Sequence, residues 1–108
     1  MIKKRVIVFG TGKQYENNKT IVNKYADIIG LIDNNPDLWG KTKDSIVIYK
    51  PEDIFTLCYD CVVLEAVRAN EMKEQLLAMG VDKTKIKYHT EFYAEYAENE
   101  IKYTTTLE

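Results

Sequence analysis

Gly10-Thr11-Gly12-Lys13-Gln14-Tyr15 follows a short apolar run, Arg5-Val6-Ile7-Val8-Phe9, and precedes a polar stretch. Glycines placed this way suit phosphate chemistry. The first makes a tight turn, and the second lets backbone approach a phosphate closely. Amides at the start of the following helix, with the helix dipole, then hold the anion. A second apolar run, Ile28-Ile29-Gly30-Leu31-Ile32, is closed by Asp33, 21 residues beyond Gly12. A carboxylate at that point accepts hydrogen bonds from ribose hydroxyls. Gly10, Thr11, Gly12, Lys13, Asp33 and Asn34 are therefore the expected nucleotide-binding residues. The third fingerprint position wants Gly or Ala for close helix–strand packing, and here it is Tyr15. That departure works against a pyrophosphate-bound dinucleotide. The same residues also suit a scaffold whose glycines serve only the turn and whose Asp33 caps Asn34-Asn35-Pro36.

Other residue groups are weaker. Gly12-Lys13 is no P-loop, which needs four residues between its glycines and a Ser or Thr after the lysine. Tyr15 and Lys19 share the spacing of a dehydrogenase Tyr-Lys pair, but right after a phosphate loop they read as neighbours on a helix surface. Cys58 and Cys61 lack further zinc ligands, and Cys61 enters an apolar run, so neither metal nor redox chemistry is expected. His89, the only histidine, has no identifiable partner and reads as structural or solvent-facing. The segment Glu65-Ala66-Val67-Arg68-Ala69-Asn70 follows a fourth apolar run, where ligands bind in open α/β sheets. Arg68 is a candidate phosphate contact or a solvated surface charge, whereas Glu65 would repel an anion. Trp39 suits stacking on a base or sugar, or covering a sheet edge. No catalytic and no metal-binding residue is assigned.

The elements that must position these groups alternate. Strands are expected over 5–9, 28–32, 45–49, 60–64 and 86–89. Helices are expected over 13–23, over 51–57 with Pro51 in the first turn, over 71–79 with Asn70 as cap and Gly80 as terminator, and in the tail over 91–103. Phe92, Tyr96 and Ala97 would share one face of that last helix. Apolar strands alternating with helices predict a three-layer α/β domain, with a mostly parallel sheet of about 4–5 strands and the first strand central.

Composition narrows the class. At 108 residues, 45% hydrophobic and 30% charged, the chain has room for one domain with a real core. No stretch approaches the roughly 20 apolar residues of a membrane span, and Met1 to Phe9 is too short for a signal peptide. A net charge of -2 gives no basic footprint for nucleic acid. A cytoplasmic domain is expected. Leu107-Glu108 reads as a cloning scar, which makes Met1 the native start and the piece a cut from a longer protein. The expected organisation is a domain over 1–90, a packed tail over 91–106 and the scar.

Residues 4 to about 90 resemble the Rossmann-like N-terminal domain of bacterial sugar-modifying proteins in surface polysaccharide pathways. Relatives of that kind are the nucleotide-sugar-binding domain of sialic-acid O-acetyltransferase-type and amino-sugar N-acetyltransferases, and a similar module joined to some methyltransferases. The matching stretches are residues 6–12, 29–36, Trp39-Gly40-Lys41, residues 49–54 and residues 75–81. The resemblance implies a nucleotide or nucleotide-sugar ligand, a UDP-sugar ahead of NAD, with Gly10, Gly12 and Lys13 at the diphosphate and Asp33 at the nucleoside. It also implies a C-terminal catalytic domain outside these residues, such as a transferase, because the hexapeptide-repeat helix of the acetyltransferases is missing here. The aromatic tail would support a homodimer. The alternative is a structural or oligomerisation domain that has lost its ligand.

Overall fold

The computed structural model describes residues 3–96. The run Lys4–Phe9 forms strand β1, and its last four residues are fully buried. Those four have no polar side because they have no solvent side, and the exposed Lys4 and Arg5 lead into them. Val6 and Val8 point into one core cluster with Tyr15, Val22 and Leu31, while Ile7 and Phe9 point into another with Ile32, Leu64 and Leu76. Period-two alternation sends successive residues to opposite faces, so the two clusters are the two faces of one sheet.

The remaining strands are β2 (Ala26–Ile32), β3 (Thr42–Lys43), β4 (Ile46–Tyr49), β5 (Cys61–Leu64) and β6 (Ile86–Tyr88), ordered β3-β4-β2-β1-β5-β6. The pairs β1/β2, β1/β5, β2/β4 and β5/β6 are parallel, and β3/β4 alone is antiparallel. Helix α1 (Lys13–Tyr25) places Tyr15 and Val22 in the first cluster, and α2 (Ala69–Met79) places Leu76 in the second. A 3-10 turn, Pro51–Thr56, adds Ile54 to the second face. Residues 89–96 are helical and bring Phe92 to the first face, where its ring meets Tyr96 at 4.8 Å. Helices therefore cover both faces, giving the three-layer Rossmann-like α/β arrangement with β1 central.

Several details differ from the sequence expectation. The third strand is the second half of a hairpin, and β3 makes the sheet six-stranded. The hairpin turn is Asp44-Ser45, with φ of 52° and 65°. Two left-handed central residues match the right-handed twist of the strands. Glycine or asparagine usually marks such a turn, so its sequence signal was weak. Helix α1 runs through Asn17-Asn18 and passes into β2 at Ala26 without a loop. Asn70 is not the cap of α2. Arg68 stands there without a side-chain capping bond, and Asn70 Oδ1 accepts from the Tyr88 hydroxyl. Ala97, the end of the expected tail helix and Leu107-Glu108 lie outside the described residues. No described helix is long and apolar enough to cross a membrane.

Candidate functional site

Three parallel strands end together, and Asp33, Gly10 and Glu65 are the residues that follow β2, β1 and β5. The Gly10 amide donates to the Ile32 carbonyl at 2.9 Å, and the Glu65 amide donates to the Phe9 carbonyl at 2.9 Å. Gly10 has φ of +113°, and a Cβ there would lie 2.4 Å from the Glu65 carbonyl oxygen. Only glycine satisfies both conditions. Gly12 is different. A Cβ on it would meet nothing within 4 Å, and it caps α1 without a side-chain hydrogen bond. Gly12 is exposed and leaves the first-turn amides of α1 without a side-chain cap.

Thr11 joins the loop to the acid. Its buried hydroxyl donates to Asp33 Oδ2 at 2.8 Å, and Asp33 Oδ1 accepts from the Asn35 amide at 2.9 Å. The carboxylate thus closes the Asn34-Asn35-Pro36 turn and keeps lone pairs for further donors. Trp39 stays close, its indole Nε1 donating to the Asp33 carbonyl at 2.7 Å. Asn34 faces the other way and exchanges two 2.9 Å hydrogen bonds with Gln75 of α2. Lys13 is exposed at the head of α1. Arg68 is also exposed, with Glu71 at 3.8 Å as its ion-pair partner. The structure thus brings Gly10, Thr11, Gly12, Lys13 and Asp33 together. It turns Asn34 toward α2 and leaves Arg68 on the surface.

Tyr15 neither covers the loop nor holds the helix off. Tyr15 is 1% exposed and packs into the first core cluster. Its hydroxyl donates to Asp44 at 2.7 Å, and the amines of Lys19 and Lys43 lie 5.7 and 5.4 Å from the ring centre. Burial, then the hydrogen bond to Asp44, pushes the phenol well above its ordinary range. The same bond, with Lys19 beside it, holds the Asp44 carboxyl below its ordinary range. Lys43 also reaches Glu16 at 3.0 Å and donates to the Thr11 carbonyl at 2.5 Å. The hairpin is thereby tied to the glycine loop.

On the other side of β1 lies a cleft of about 320 Å³, lined in part by Gln14, Asn18, Glu65, Tyr88, His89 and Thr90. Glu65 is buried, with its side chain 1% exposed. One carboxylate oxygen accepts from Asn18 Nδ2 at 2.8 Å, and the other lies 2.6 Å from His89 Nδ1. This corrects the expectation that His89 has no partner. The cause is topology. Leu64 pairs with Tyr88 in the β5/β6 ladder, so the next residues, Glu65 and His89, leave neighbouring strand ends side by side. Among the described residues no group of three or more His, Cys, Asp or Glu could hold a metal ion. Both cysteines are free, and burial pushes the Cys61 thiol up to about 11.

None of the curated proteins matches the chain in sequence. Among solved structures it is similar to UDP-D-quinovosamine 4-dehydrogenase from Vibrio fischeri, with a TM-score of 0.61, 22% identity, and coverage of 80% of this chain and 75% of that one. It is also similar to RSP, a Rex-family repressor, with a TM-score of 0.58 and 20% identity over 98% of this chain and 64% of that one. RSP in complex with β-NADH gives a TM-score of 0.55 at 20% identity, over 98% and 65% of the two chains. This chain thus spans under two thirds of the repressor chains. At these identities the likeness is one of fold. The sequence model described as C2185-like, N-terminal, matches residues 2–87, most of the sheet and both long helices, and the chain belongs to that family.

Proposed function

We propose that the chain is a nucleotide-binding module that takes a nucleotide-sugar, a UDP-sugar ahead of NAD. One observation carries this: the Thr11–Asp33 bond holds the open glycine loop and the ribose-directed acid as one unit. In this reading the first-turn amides of α1 hold the diphosphate, helped by Lys13, and Asp33 receives a ribose hydroxyl. Arg68 reaches over the ligand from the β5 side by leaving its weak, exposed partner Glu71. Two solved structures of this fold support the ligand class, since one is named for a UDP-sugar and another was solved with β-NADH. No bond-breaking step is assigned to these residues. The module serves as the N-terminal part of a larger sugar-modifying protein of surface polysaccharide biosynthesis, with the transferase chemistry supplied outside it. Two free cysteines suit a reducing cytoplasmic setting.

A second reading is a structural or oligomerisation domain that has lost its ligand. It is favoured by Asp33 already having donors on both oxygens. Titration with UDP-glucose and NAD+ to millimolar concentration, followed by backbone amide shifts, separates the two. Shifts at Gly10, Gly12 and Asp33 are expected. A titration that leaves all three unmoved selects the structural reading.

A further inference from the structure

The buried Glu65 and its two partners have no part in holding a diphosphate, yet they shape the cleft beside it. We propose that this cleft is the binding site for the sugar of the nucleotide-sugar, a neutral hydroxyl-bearing ring, and that His89 is its principal contact. The inference rests on the nucleotide reading above for where the diphosphate lies. Four features of the cleft itself support it.

First, the pair is built. Glu65 is buried, and Asn18 and His89 satisfy one oxygen each, at 2.8 and 2.6 Å. The carboxylate fixes the imidazole through Nδ1, the way carboxylates orient the histidines that ligate metals. Second, the other ring nitrogen is available. Among the described residues Nε2 has no hydrogen-bond partner and is not fully buried, and His89 is one of the residues that line the cleft. Third, the chemistry selects hydroxyls. In a neutral ring whose Nδ1–H donates to Glu65, Nε2 accepts; in a charged ring it donates. A hydroxyl serves either role, so the match survives a change of protonation. Gln14 and Thr90 add polar groups to the same lining, and Leu64, Ala66 and Ala69 add apolar surface. A sugar ring presents that mixture of hydroxyls and C–H surface. Fourth, the charge excludes anions. Glu65 with His89 sums to zero or to one negative charge, so a further phosphate finds no attraction here.

His89 is the only histidine in the chain, so its imidazole signals report on this cleft alone. The 15N-labelled chain is titrated with UDP, UDP-glucose, UTP, NAD+ and methyl glucoside, reading the His89 ring and the Gly10 and Gly12 amides together. UDP is expected to move the loop amides only. UDP-glucose is expected to move the His89 ring as well and to bind about tenfold more tightly than UDP, the worth of one or two good hydrogen bonds. UTP is expected to gain nothing over UDP. In His89→Ala the UDP affinity should stand and the UDP-glucose advantage should vanish. If UDP moves the loop but UDP-glucose leaves His89 unmoved, the cleft assignment is wrong and the nucleotide reading stands. Tight UTP binding that moves the His89 ring overturns the sugar assignment, whereas NAD+, whose second ribose is also a hydroxyl-bearing ring on a diphosphate, is expected to move it. If no nucleotide moves the loop, the nucleotide reading falls, and methyl glucoside alone decides the cleft: a saturable His89 shift keeps it, and its absence removes it.

Discussion

The Cα of Gly10 lies so close to Glu65 that a methyl group on it would sit 2.4 Å from the Glu65 carbonyl oxygen. The contact locks the end of β1 to the end of β5. Gly10→Ala therefore meets both a backbone clash and a left-handed φ of +113°. A loss of about 3 kcal/mol is expected, from strain at that φ together with overpacking. Urea unfolding should show a lower midpoint, and a midpoint equal to wild type would contradict the packing.

Gly12→Ala should behave in the opposite manner. The new methyl meets nothing within 4 Å, and Gly12 is exposed. Alanine is a poorer cap than glycine, so stability should fall by about 1 kcal/mol or less. UDP affinity should fall further, because in the proposed binding mode the Cβ would stand where the phosphate approaches. Calorimetric titration beside a thermal melt measures both; equal losses in the two would argue against a phosphate at the loop.

Asp33→Asn keeps an oxygen able to cap the turn at the Asn35 amide and removes the charge. The fold should hold to within about 1 kcal/mol, the worth of one altered hydrogen bond. UDP affinity should drop about tenfold, since hydrogen bonds to a charged acceptor are worth roughly twice neutral ones. Unchanged affinity would remove Asp33 from the ribose.

Tyr15→Phe tests the link from α1 to the hairpin by pH. Asp44 is held below its ordinary range, first by the hydrogen bond from Tyr15 and then by Lys19. A depressed folded-state value means stability that is present above the unfolded value of about 3.9 and lost as pH falls through the folded value. Wild type should therefore lose melting temperature below about pH 4, and Tyr15→Phe should show a shallower loss over that window because its Asp44 titrates closer to normal. Identical slopes would mean that the bond does not form in solution.

The two cysteines should differ sharply in reactivity. Burial pushes the Cys61 thiol up to about 11, while Cys58 is exposed. The thiolate is the reactive form. Mass spectrometry after iodoacetamide at pH 8 should find the label on Cys58 in the native chain and on both in denaturant. Native labelling of Cys61 would show that β5 opens.

Much of this fold was readable because local patterns agreed with the global one. Val6 to Phe9 could be placed at the centre of the sheet since a strand covered on both faces is apolar at every position. Asp33 could be paired with the glycine loop because both close strands with a known neighbour relation. The hairpin was missed because Asp44-Ser45 carries no glycine, and tertiary bonds to Tyr15 and Lys19 hold its unusual dihedrals instead. The Glu65–His89 contact was missed because the residues are 24 apart and meet only through strand order. Tyr15 drew notice for the right reason, its size, but the direction of its ring was a matter of which face α1 buries.

Asp33 and Glu65 leave strands on either side of β1. Neighbouring strands lie about 4.8 Å apart, so these two residues begin roughly 10 Å apart. That span is a ruler made of backbone. Side-chain changes at either end can erase or invert the chemistry there without altering its length. Evolution or design can therefore exchange the group at one end while the other keeps its register, and any ligand that spanned both would be measured first by how far apart its two ends lie.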